Sequence, residues 1–231
     1  MWLGNDVLKV FFDEDLGGMP TADSFGILRA VSIEIARTRP FPFFQSLYDT
    51  RSRIKCDGSR LVASGVMCKP VPPEDFILPL RTIPPLGEIS PHTYEMEATV
   101  EGNRLSLAYR LNVAAEEKIV HSKIWMWTKP FQSYTIDGET FNVRNKQPAW
   151  VEHCAKSGGT WYFLEARAGQ PKSITLFDSS GRLRISGATI PPCYTEIQRY
   201  EHEKMEVVYG WAKNLLQKGT YSGKLELTYD G

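Results

Sequence analysis

Between Arg37 and Arg60 the chain interleaves cations with aromatic rings: Arg37, Arg39, Arg51, Arg53, Lys55 and Arg60 lie among Phe41, Phe43, Phe44 and Tyr48. That combination suits single-stranded nucleic acid, RNA or DNA. Guanidinium and ammonium groups follow the phosphates while ring faces stack on bases, each stacked base contributing about 1–3 kcal/mol. The residues expected to make those contacts are Arg37, Arg39, Phe43, Phe44, Arg51, Arg53, Lys55 and Arg60. A competing arrangement uses the same segment structurally: Pro40 and Pro42 hold the phenylalanines in a core, and the arginines form a solvated strand face.

The whole chain carries 27 basic and 27 acidic side chains, so no global field draws in a polyanion or an anionic membrane. Along the chain the balance is uneven. Residues 1–28 hold one basic side chain against five acidic, and residues 29–69 hold eight basic against three acidic. A locally basic but neutral chain fits a subunit of a larger ribonucleoprotein better than a free-standing binder, because partner chains supply the remaining field.

A second candidate surface is the stripe Lys123, Trp125 and Trp127, which shares one face with His121 if the segment is a strand. An open polar-aromatic stripe suits a protein partner, although tryptophans more commonly cover a sheet beneath a helix. The alternative function is therefore a protein-binding adaptor, inhibitor or immunity-type protein, using this face or an edge strand.

Other residues with chemical potential lead less far. Asp13-Glu14-Asp15 offers carboxylates to a hard cation but lacks the alternating spacing of a calcium loop. His153 and Cys154 are adjacent, so on a strand they face opposite sides and on a helix they diverge, which works against a nucleophile and base pair. Cys56 and Cys68, with eleven residues between them, match no zinc knuckle, and buried thiols explain them better. Gly219 to Lys224 resembles a phosphate loop only superficially, with three residues between the glycines where four are required. No catalytic residue, metal ligand or cofactor is assigned, and an enzyme of unknown class stands as the remaining alternative.

At 231 residues the chain can bury a core without disulfides. Four cysteines without a CxxC pair predict reduced thiols in a cytoplasmic compartment. No basic-then-apolar leader opens the sequence and no apolar run is long enough to span a bilayer, so no membrane association is expected.

The elements that would position these residues follow from periodicity. Gly102-Asn103 as a two-residue turn pairs residues whose numbers sum to 205 over Thr93 to Val113. Val100, Ala98, Met96 and Tyr94 then face Leu105, Leu107, Tyr109 and Leu111, with Glu95 opposite Arg110 on the other side. Ile119 to Thr128 reads as a third strand, Asp137-Gly138 as a turn, and Asp178 to Gly181 as the turn of a second hairpin. Ile27, Val31 and Ile35, spaced by four, predict a helix ending near Thr38. Met205, Val208, Ala212 and Leu215 predict another over Glu196 to Lys218, with Gly219 as its cap. The expected fold is α+β: a mostly antiparallel mixed sheet with one N-terminal and one C-terminal long helix packed on it. It forms a single domain over 1–231, with the proline-rich connector 70–91 as a candidate subdivision.

Overall fold

The computed structural model describes residues 2–12, 26–35, 43–45, 53–68, 89–116, 119–154, 159–168, 171–189, 194–200, 204–212 and 217–231. Every regular element among them is a strand: β1 (Trp2–Gly4), β2 (Lys9–Phe12), β3 (Gly26–Ile35), β4 (Phe43–Gln45), β5 (Arg53–Cys56), β6 (Arg60–Cys68), β7 (Ile89–Glu101), β8 (Arg104–Val113) and β9 (Ile119–Thr128). The chain continues through β10 (Ser133–Ile136), β11 (Glu139–Asn142), β12 (Trp150–Cys154), β13 (Gly159–Ala168), β14 (Ile174–Asp178), β15 (Gly181–Thr189), β16 (Tyr194–Tyr200), β17 (Lys204–Ala212) and β18 (Gly219–Asp230).

Pairing runs in two arms. The first is β5–β6–β7–β8–β18–β15–β14–β10–β11, antiparallel throughout. The second is β12–β13–β16–β17–β9–β3. On its remaining edge β3 meets β2 in parallel near its start and β4 near its end. Gln45 of β4 pairs with Cys68 of β6, which joins the arms into one hydrogen-bonded sheet.

The arms bury a common core. Leu61, Leu105, Leu107, Leu111, Leu183, Ile185 and Leu225 from the first arm share a buried cluster with Leu164, Ile197, Met205 and Val207 from the second. Each fully buried aliphatic chain contributes about 1.5–3 kcal/mol. Alternation along the strands does the sorting. On β7 Tyr94, Met96, Ala98 and Val100 point inward while Glu95, Glu97 and Glu101 are exposed. The register of β7 with β8 is the one the Gly102 turn dictates, from Thr93 opposite Asn112 to Glu101 opposite Arg104, and Gly102 has the positive φ of 57° that this turn uses.

Both expected helices are corrected. Residues 26–35 form β3, hydrogen-bonded to β9, and residues 194–200 and 204–212 form the antiparallel pair β16 and β17, from Tyr194 opposite Gly210 to Tyr200 opposite Lys204. The α+β expectation gives way to a large, almost wholly antiparallel sheet with no helix among the described residues. A spacing of four is close to the helical 3.6 but is also twice the strand period of two, so Ile27, Val31 and Ile35 satisfy both. Val31, Ile33 and Ile35 alternating with Ser32 and Glu34 is the pattern that decides, reinforced by the β preference of branched side chains. In the C-terminal pair Thr195 and Ile197 are buried on β16 and Met205 and Val207 on β17, each at an interval of two, with Ile197 directly opposite Val207. No helix among the described residues is long and apolar enough to cross a membrane. Most of the proline-rich connector, residues 70–88, lies outside the described residues, and Pro91 lies within β7.

Candidate functional site

The expected basic-aromatic segment is only partly placed. Arg37, Arg39 and Arg51 lie outside the described residues. Phe43 and Phe44 stand on β4, opposite Glu34 and Ile33 of β3, at the joint between the arms. Arg53 and Lys55 stand on β5, which pairs with β6 alone among the described strands. Lys55 is exposed. Arg60 opens β6, also exposed, and its Nε donates to Glu97 Oε1 at 2.7 Å, which raises its pKa. Beside it, Asp57 accepts from the backbone N–H groups of Arg60 and Ser59, and these hold its carboxyl below the usual range.

Lys123, Trp125 and Trp127 stand on β9, which is hydrogen-bonded on both edges, to β3 and to β17. Strand addition at β9 is therefore blocked. Asp13 to Asp15 lie outside the described residues, and His153 and Cys154 pair through the backbone with Thr160 and Gly159. Among the described residues no group of three or more His, Cys, Asp or Glu side chains converges to hold a metal ion.

What the fold gathers instead is a polar outer face on the first arm. Lys55 lies opposite Val62, Val62 opposite Glu97, Glu97 opposite Ala108, and Ala108 opposite Lys224, a row perpendicular to the strands. The neighbouring row runs from Arg53 through Ser64, Glu95 and Arg110 to Ser222. Strands are about 4.8 Å apart, so Lys55 and Lys224 are roughly 19 Å from each other across the sheet. Between them the small side chains of Val62, Ser64, Ala108 and Ser222 leave a depression of about 660 Å³, walled by Glu95, Glu97, Arg110 and Lys224. Further along, Arg182 and Arg184 are exposed and alternate with buried Leu183 and Ile185 on β15.

The cations on this face fall into two groups, and the exposed carboxylates Glu101 and Asp230 lie opposite Arg104 and Arg182. Arg60 pairs with Glu97, Arg110 with Glu95 at 3.2 Å, and Arg104 with Glu226, all with side chains about half exposed. Lys55, Arg182, Arg184 and Lys224 form no ion pair with any described residue. Sequence reasoning missed Arg182, Arg184 and Lys224 because they are distant in the chain, although their alternation with Leu183, Ile185 and Leu225 was legible.

Two half-buried polar clusters lie elsewhere. Lys129 Nζ reaches Asp178 Oδ2 at 3.1 Å, donates to the Ser180 hydroxyl, and sits 4.8 Å from the centre of the Phe131 ring. Burial raises the Asp178 pKa, but the Ser180 hydroxyl and N–H together with Lys129 outweigh it and hold the carboxyl low. Serine beside lysine resembles a nucleophile with its base. Here the Ser180 hydroxyl donates to Asp178 Oδ1 at 2.6 Å and the ammonium is held by the same carboxylate, an arrangement that locks the β14–β15 turn. In the other cluster Glu165, 11 % exposed, accepts from Arg167 Nε at 2.9 Å and Lys146 Nζ at 3.3 Å, with the Tyr134 hydroxyl at 3.5 Å. Burial, then the charge of Glu165, pushes the Tyr134 phenol up. This cluster ties β10 and the turn after β11 to β13, across the two arms. No protein-family model matches the chain, and a search of curated proteins finds no match.

Proposed function

We propose that this chain is a non-enzymatic binding module that holds single-stranded nucleic acid on the outer face of its first arm, as a subunit of a larger assembly. The observation that carries the proposal is the set of four exposed cations without ion pairs among the described residues, Lys55, Arg182, Arg184 and Lys224, on one face of one sheet. One further arginine on that face, Arg104, is held by the half-exposed carboxylate of Glu226. Exposed pairs contribute about 0–1 kcal/mol, so a phosphate can replace the carboxylate at little cost. Lys55 and Arg53 bring the expected basic segment to the edge of the same sheet, so the reading keeps those residues and enlarges their surface. Its test is fluorescence anisotropy with a labelled single-stranded oligonucleotide at low salt. Arg182→Glu with Arg184→Glu is expected to abolish binding and leave the thermal midpoint unchanged; equal affinity of the double variant and the wild type would remove the reading.

A second reading, binding of a protein partner by strand addition, has its own observation. On β12, which pairs with β13 alone among the described strands, Trp150 and Val151 are 42 % and 41 % exposed. Successive strand residues face opposite sides, so exposure of both leaves neither face of this edge covered. Trp150 stacks on its cross-strand neighbour Phe163, with ring centres 4.2 Å apart. A partner lost on Val151→Lys, at an affinity insensitive to salt, is what this reading expects.

A further inference from the structure

We propose that the depression between β6, β7, β8 and β18 seats one nucleotide of the bound strand and selects a base with an exocyclic amino group, cytosine above thymine. The inference rests on the nucleic-acid reading above and assigns a specificity to it. The two walls of the depression differ in sign. On the β7 side stand Glu95 and Glu97, and each gives one oxygen to an arginine: Glu95 Oε2 to Arg110 and Glu97 Oε1 to Arg60. A carboxylate has acceptor sites on both oxygens. Glu95 Oε1 and Glu97 Oε2 therefore remain as acceptors, with no hydrogen bond from a described residue. On the β18 side stands Lys224, whose ammonium has no ion pair among the described residues, beside Ser222.

Glu97 and Lys224 lie in one register row with only Ala108 between them. Two strand spacings separate them, roughly 10 Å. A ligand that fits has a hydrogen-bond donor at one end, an anion at the other and a flat apolar body over Ala108. A nucleotide has that layout: an amino group on the base edge, the ring in the middle, the phosphate beyond the sugar. Carboxylates accept from the cytosine amino group, whereas thymine presents a carbonyl oxygen at the same position and is repelled. Arg60 and Arg110 serve as positioning residues, because they neutralise the glutamates enough for a phosphate to approach while leaving one oxygen of each for the base.

The experiment compares labelled oligodeoxycytidylate and oligothymidylate of equal length at neutral pH, in wild type, in Glu95→Gln with Glu97→Gln, and in Ala108→Trp, which fills the depression. All positions are on the outer face, and thermal midpoints identify any variant that is unfolded. The wild type is expected to prefer the cytidylate about five- to a hundredfold, the range of one base contact. The two variants are expected to bind both oligonucleotides with that preference reduced to near unity. Equal binding of the two by the wild type overturns the base selection and leaves the nucleic-acid reading standing. A preference that survives in both variants overturns the depression as its source. Binding of neither oligonucleotide by the wild type removes the nucleic-acid reading and this inference with it.

Discussion

Across the ladder between β8 and β18 the ring of Tyr109 lies against the bare Cα of Gly223, so that a methyl group added there would stand 2.7 Å from Tyr109 Cε1. Tyr109 is 3 % exposed, and burial pushes its phenol pKa up. The glycine is needed here for space, since the ring occupies the volume a Cβ would take. Gly223→Ala is expected to destabilise the protein by about 1–3 kcal/mol, the usual cost of overpacking. Combined with Tyr109→Leu the loss should be smaller than the sum of the single losses. Urea unfolding of the four proteins measures this, and strict additivity would show that the ring is not what excludes the methyl group.

Asp178 predicts part of the acid sensitivity. Its folded-state pKa is depressed by Ser180 and Lys129 against the opposing effect of burial. The carboxylate therefore contributes stability that is complete above the unfolded value of about 3.9 and is lost as pH falls through the lower folded value. Asp178→Asn is expected to lose about 1.5–3 kcal/mol at pH 7, the range for hydrogen bonds to a charged group. The variant should also show a shallower decline in stability below about pH 4. Unfolding free energies across that range test both; an acid decline of unchanged slope would remove Asp178 as a contributor.

Glu165 predicts a loss of similar size. Removing it leaves Lys146 and Arg167, 25 % and 30 % exposed, beside each other without their common acceptor. Arg167 keeps Glu139 at 2.9 Å, but among the described residues Lys146 keeps only the Phe141 ring, 4.0 Å away. Glu165→Ala is expected to cost about 2–3 kcal/mol, less than a fully buried pair because both cations reach water. Tyr134→Phe should cost about 1 kcal/mol, one ordinary hydrogen bond. Denaturant midpoints rank the two, and the reverse order would place the strength of this corner in the tyrosine.

Nucleic-acid binding on the outer face predicts a salt dependence. Each phosphate neutralised on a single strand adds about 0.7 to the slope of log affinity against log salt. Lys224→Gln should lower that slope by about one contact, and Lys55→Gln by another. Titrations at several salt concentrations measure the slopes; slopes identical to that of the wild type would place the bound phosphates elsewhere.

The sequence alone determined the hairpins. Thr93 to Val113, Ile174 to Ile185 and the Asp137-Gly138 turn were legible because a tight turn and a period of two act over few residues, and a slip by one would expose every apolar side chain. Asp137 and Gly138 both adopt the positive φ, 49° and 91°, that such a turn requires.

Tertiary structure decided the rest. Whether Ile27, Val31 and Ile35 form a helix or a strand depends on β9 lying beside them, almost a hundred positions away in the chain, since a spacing of four suits either period. The same holds for the candidate surface. Lys55, Arg182, Arg184 and Lys224 share a face only because β8 pairs with β18 and β18 with β15. Hydrogen bonding between strands carries no local signature of its partner, so the neighbours of an edge, and with them the field over a sheet, are settled only when the whole chain has closed on its core.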